Sequence, residues 1–200
     1  MSNIAMVKIL DLLFCPNRFF PPDPKQLFSA VLWQFVIWLF LVLINNYGGV
    51  IPDESRILGV VLLAAVFSSL FVYILSFTTQ LGLFLLKKNQ DYVPTFKISV
   101  YSALVFSLYW LIGISVESFD LFGFGADYGL FNQILWFISV SHMLIVQIVG
   151  IRQSHDVDMI LAAMSVLIFW IMIAMAGAVA FSVNPEGFSA MARIPRLEIA

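Results

Sequence analysis

The chain has 200 residues, of which 62% are hydrophobic and only 11% are charged, and its formal net charge is −2. Soluble domains carry about 25% charged residues, so this composition is typical of a protein embedded in lipid. The charge balance gives no basic surface for nucleic acid. A single cysteine, Cys15, excludes an intrachain disulfide and any zinc site built from cysteines.

Charged residues occur in short clusters, and long segments between the clusters contain none. These uncharged segments are 26–52, 57–86, 98–116, 128–151 and 159–185. A helix needs roughly 20 apolar residues to cross a hydrocarbon core, whereas a helix of a soluble protein keeps a polar face. The sequence therefore predicts an all-α membrane bundle of five transmembrane helices, at about 27–46, 58–86, 95–116, 133–151 and 158–183.

Residues 1–25 precede the predicted bundle. Polar residues interrupt an otherwise apolar surface over 2–14, which predicts a short amphipathic helix that lies in the membrane interface or docks on the bundle. Four prolines prevent residues 15–25 from being helical throughout. Within this segment we predict an interface at headgroup depth, formed by Arg18, Phe19 and Phe20.

The segments between the predicted spans contain residues typical of turns and loops. Pro94 suits the first turn of the third helix. Residues 117–132 contain three acids, three glycines and no Lys or Arg, which fits either a ligand or partner contact or a re-entrant turn anchored by its aromatic residues. A tight polar turn at 152–158 leads into the fifth span. Residues 184–200 form a C-terminal tail.

Small residues predict close helix packing. In the fifth span Ala174 and Ala178 are four residues apart, with Gly177 between them. This spacing lets backbones approach closely in lipid, within the chain or against a partner. We therefore predict Ala174, Gly177 and Ala178 as packing or interface residues. The second span offers comparable positions at Gly59, Ala64-Ala65 and Ser68-Ser69.

The distribution of Lys and Arg predicts the orientation. With five spans, seven of these residues fall on the side of the N-terminus and three on the opposite side. The positive-inside tendency then places the N-terminus in the cytoplasm and the C-terminus on the other side of a cell inner membrane.

No Asp, Glu, Lys or Arg lies deep in a predicted span. Such residues usually mark proton pathways and intramembrane catalysis, so their absence from the spans argues against a proton-coupled transporter, an aspartyl intramembrane protease and a phosphoryl transferase. There is also no HExxH pair, GxSxG elbow, Walker loop or GxGxxG fingerprint. We therefore predict no catalytic residue, metal or cofactor, and no enzymatic activity.

The two histidines of the chain, His142 and His155, are candidate metal or cofactor ligands. His142 lies well inside the fourth span, where a neutral imidazole either ligates the metal of a haem or chlorophyll or bonds to a neighbouring helix, and we favour the bond. His155 stands beside Asp156 and Asp158. It could be half of a metal site, but we interpret it as a solvated turn residue.

The sequence resembles the Yip1-domain membrane proteins over most of its length. The resemblance rests on the entry segment from Leu12 to Phe20, on 91–101 with Thr95-Phe96-Lys97, and on 136–151. It implies a short cytoplasmic N-terminal segment followed by five clustered spans. The lack of a long acidic N-terminal tail points to the prokaryotic branch, and a role in Rab GTPase traffic does not carry over.

We therefore predict a non-catalytic interaction scaffold or accessory subunit of a membrane assembly. Its partners would be the lipid bilayer and other membrane proteins or a second copy, and not nucleic acid. One alternative is a small-solute or ion transporter, if Thr78, Thr79, Gln80, Ser99, Ser102, Ser107, His142 and Gln147 converge on one cavity. The other alternative is a cofactor-bearing membrane subunit that uses His142.

Overall fold

The computed structural model describes residues 12, 16, 24–47, 54–88, 91–119 and 129–183, and these contain five long α-helices and no β-strand. The predicted all-α fold is therefore confirmed for the described part of the chain. The helices are α1 (Pro24–Tyr47), α2 (Glu54–Leu85), α3 (Tyr92–Ser118), α4 (Gly129–His155) and α5 (Met159–Val183).

Helices α1 to α4 are each long and apolar enough to cross a membrane. In α5 the apolar stretch among the described residues is shorter, Met159–Ile168. Large apolar side chains face outward, and Phe77 and Phe84 on α2 are 64% and 67% exposed. An outward surface of this kind is stable against hydrocarbon rather than water.

Helix α3 is the centre of the bundle. It packs against α1, α2 and α4, while α5 packs against α2 and α4. In the most apolar stretch of α3 more than half of the residues are buried, whereas in that of α2 about a fifth are buried. At the N-terminal side, Leu12 is helical and is buried in the core at 2% exposure. The rest of the predicted amphipathic helix lies outside the described residues.

Helix α2 ends in a Schellman motif. Lys87 has a left-handed φ of 57°, its N–H donates to the Phe84 carbonyl, and the Lys88 N–H donates to the Leu83 carbonyl, both at 2.9 Å. These bonds satisfy carbonyls that the helix end leaves free. Helix α3 then begins at Tyr92 with Pro94 in its first turn, as predicted.

Helices α4 and α5 meet in an equally tight turn. Asp156 has a φ of 49°, and the Val157 N–H donates to the Arg152 carbonyl at 3.3 Å. Asp158 then caps α5, because its Oδ1 accepts from the Leu161 N–H at 2.7 Å. Connections this short make consecutive helices antiparallel. They define a proximal end of the bundle, at 86–88, 91 and 156–158, and a distal end, where α3 ends and α4 begins.

Candidate functional site

The predicted interface residues are only partly described. Arg18, Phe19 and Phe20 lie outside the described residues. Ala174 and Gly177 belong to helix α5, but their side-chain surroundings lie outside the described part of the structure. Ala178 is exposed, so it is available to lipid or to another protein. The interface on α5 therefore remains a prediction.

A close helix approach occurs between α2 and α5 at a different small residue, Gly82. A Cβ placed on Gly82 would overlap the backbone carbonyl of Ser165, so only glycine allows the two backbones to lie this close. Gly59 makes no such close approach within the described part of the chain. That residue is exposed, and a Cβ there would meet no described atom within 4 Å.

A buried polar chain joins α2, α3 and α4 at the proximal end. Thr95 Oγ1 donates to Gln80 Oε1 at 2.8 Å and lies 3.0 Å from His155 Nε2. Thr95 donates its only hydroxyl proton to Gln80, so in the contact with His155 it can only accept. Nε2 of His155 must therefore carry a proton. The interpretation of His155 as a solvated turn residue is therefore wrong: it is 6% exposed and bonded to α3.

A second polar contact ties α4 to α2 nearer the middle of the bundle. Gln147 Nε2 donates to Thr79 Oγ1 and also approaches the Leu75 carbonyl at 3.5 Å. Thr79 in turn donates to the same carbonyl at 2.8 Å. Gln147 and Thr79 are 1% and 2% exposed, so these bonds form in a water-poor interior where an unmade bond is costly.

A third contact links α1 and α3 and was not predicted. Gln34 Nε2 donates to Ser107 Oγ at 3.0 Å, and both residues are buried. The signal in the sequence was a glutamine in the middle of the apolar stretch 27–44. Gln34 Oε1 has no hydrogen-bond partner among the described residues, and the residue lines a cavity of about 450 Å³ between α1, α2 and α3.

His142 bonds to a neighbouring helix. Its Nδ1 lies 3.1 Å from the Tyr109 hydroxyl on α3, and the two ring centroids are 5.7 Å apart. A helix–helix contact of this kind is the arrangement that the sequence favoured. No group of three His, Cys, Asp or Glu that could hold a metal is found within the described residues.

The eight polar residues of the possible transport path all take part in hydrogen bonds within the bundle. Thr78, Ser99 and Ser102 donate to backbone carbonyls of their own helices. The others make the pairwise contacts given above. None of the eight lines the 450 Å³ cavity or a smaller one of about 180 Å³ between α3 and α4.

Comparison with known proteins gives no relative: no family model, curated protein or solved structure matches the chain. The resemblance to the Yip1-domain proteins therefore stays an expectation from short motifs.

Proposed function

We propose that the chain is a five-span, Yip1-like protein of a prokaryotic inner membrane that acts as a non-catalytic scaffold or accessory subunit. One observation carries the proposal: polar side chains inside the bundle bond across helix interfaces. Gln34 bonds to Ser107, Thr79 to Gln147, and Thr95 to both Gln80 and His155. Bonds of this kind hold membrane helices in register.

The fifth span in this proposal is α5. It is 25 residues long and lies within the uncharged segment 159–185. At 1.5 Å per residue such a helix is long enough for a core about 30 Å thick. The seven Lys and Arg of the N-terminal side, against three on the other, then orient the N-terminus to the cytoplasm.

Support for a scaffold over a transporter comes from how the polar groups are used. Transport sites present several polar groups to one water-filled path. In this chain His155 is bonded to Thr95 and His142 is bonded to Tyr109, so each histidine is part of a contact between two helices. The feature that favours the alternative is the 450 Å³ cavity lined by Gln34, whose Oε1 has no hydrogen-bond partner in the described part of the chain.

The proposed partner face is the outer side of α5 around Gly177 and Ala178. Ala178 is exposed, and small residues at four-residue spacing allow another helix to approach closely. The partner class is therefore a transmembrane helix of another subunit or of a second copy.

Crosslinking in native membranes, followed by purification and quantitative mass spectrometry, tests this role. We expect one membrane protein, or a second copy, at fixed stoichiometry. Gly177→Leu and Ala178→Leu should abolish that recovery, whereas Met164→Leu, a conservative change at another exposed position of α5, should not. An exclusively monomeric protein that moves a solute in proteoliposomes would replace the scaffold with the transport alternative.

A further inference from the structure

The smaller cavity, of about 180 Å³, lies at the distal end between α3 and α4. Four of its ten lining residues are aromatic, and Glu117 and Asn132 lie at the helix ends that border it. Cavities for drug-sized ligands measure about 300–1,000 Å³, so this one suits a group the size of a small amine. Its aromatic residues are Phe106, Tyr109, Trp110 and Trp136.

The aromatic wall is held in place by rings from other helices. Trp110 makes edge contacts with Phe106 at 5.8 Å and with Trp38 of α1 at 5.6 Å, measured between ring centroids. Phe106 also packs against Phe71 of α2 at 5.1 Å. Because these contacts fix Phe106 and Trp110 before a ligand arrives, little ordering of these two rings would be needed on binding.

A glycine keeps the cavity open. A Cβ on Gly113, which lines the cavity, would lie 2.9 Å from Leu135 Cδ2. A larger residue would therefore push Leu135 aside or fill the space between α3 and α4.

The charge at this end of the hairpin is negative. Glu117 accepts a hydrogen bond of 2.6 Å from Asn132 Nδ2. This donor is uncharged, so it does not neutralise the carboxylate. The α3–α4 hairpin has no Lys or Arg between Lys97 and Arg152, while its connection adds Asp120 and Asp127 to the acids. Such a surface attracts cations, and more strongly next to a low-dielectric membrane.

We propose that this cavity binds the ammonium group of a small organic amine, with Glu117 as the counter-charge and the aromatic rings around the cation. Aromatic faces attract organic cations through their quadrupole. A divalent metal fits this lining less well, because Ca²⁺ and Mg²⁺ are surrounded by six or more oxygens, whereas most of the lining residues here are apolar or aromatic. The amine is either dissolved or part of a lipid headgroup at the same depth. This inference does not depend on the scaffold role.

The first test needs no variant. The full chain is placed in nanodiscs of phosphatidylglycerol, which has no amine, and is titrated with choline or with its uncharged analogue 3,3-dimethylbutan-1-ol. Saturation-transfer NMR follows the methyl protons that both ligands carry. We expect saturable binding of choline and binding of the neutral alcohol weaker by roughly tenfold.

Variants then locate the binding. Glu117→Gln and Trp136→Leu should each weaken choline binding by roughly five- to thirtyfold. Both residues are exposed, so the bundle should fold without them. Asp156→Asn at the proximal end removes an equal charge from a turn that suits asparagine, and it should leave binding unchanged.

A second nanodisc composition distinguishes the two sources of the amine. In phosphatidylcholine discs a headgroup in the cavity would suppress the signal of free choline, whereas equal signals in both discs would indicate a dissolved amine. Three results would each overturn the proposal: no choline binding in phosphatidylglycerol, equal binding of the neutral alcohol, or wild-type binding by folded Glu117→Gln and Trp136→Leu variants.

Discussion

Gln147 of α4 donates its side-chain N–H to the hydroxyl of Thr79 on α2. The two residues are 68 positions apart in the chain and both are buried. Substitutions at this pair therefore report how much one polar contact contributes to the stability of two apolar helices packed together in lipid.

Replacing Gln147 and Thr79 singly and together separates the energy of their bond from the energy that each side chain contributes through its other contacts. We expect Gln147→Leu and Thr79→Val to lower the free energy of unfolding, with a coupling of about 0.6–2 kcal/mol in a double-mutant cycle. Unfolding in mixed micelles supplies the four free energies. Strictly additive single changes would show that the contact contributes nothing specific.

Gly82 should be among the least replaceable small residues of α2. In Gly82→Ala the added methyl group meets the Ser165 backbone, so we expect the bundle to lose about 1–3 kcal/mol, as overpacked interiors do. Gly59→Ala is the matched control, since a Cβ there meets open space, and it should be neutral or stabilising by up to about 1 kcal/mol. Similar thermal stability of the two variants in detergent would argue against the close approach of α2 and α5.

Thr95 should matter more than another buried hydroxyl on the same helix. Thr95→Val removes contacts with both Gln80 and His155 and should reduce stability in detergent. Ser99→Ala removes only a bond to the backbone of α3 itself, so its cost should be smaller. A larger loss for Ser99→Ala, measured by the same melt, would contradict a joining role for Thr95.

His142 should tolerate a polar replacement. We expect His142→Gln to preserve assembly, because it keeps a hydrogen-bonding side chain near Tyr109. His142→Leu should cost more, by up to about 2 kcal/mol. Metal analysis and an absorption spectrum of the purified protein provide the check. A stoichiometric metal or pigment that disappears in His142→Gln would favour the cofactor alternative.

The helical class could be predicted from the sequence because the uncharged segments are long and apolar. The pairing of polar side chains could not, since it depends on helix rotation and on turn geometry. His155 illustrates this: its acidic neighbours indicated a solvated turn, but α4 continues through His155 and the chain turns only at Asp156. The imidazole consequently packs against Thr95.

The roles of Gln34 and Gly82 could not be predicted from the sequence for a related reason. A single amide in an apolar helix has many possible partners, and only the fold identifies Ser107. Gly82 follows the polar residues Thr78-Thr79-Gln80, but its role depends on its contact with Ser165, which is 83 residues later in the chain and lies beside it in the bundle.

Site-specific cysteine labelling in intact cells tests the five-span arrangement most directly. With the native Cys15 replaced by serine, cysteines are introduced singly at Asn89 and Ser189 and treated with a membrane-impermeant maleimide. The proposed topology predicts that Ser189→Cys reacts from outside the membrane and that Asn89→Cys reacts only after the membrane is opened. Labelling of both positions from the same side would contradict five spans.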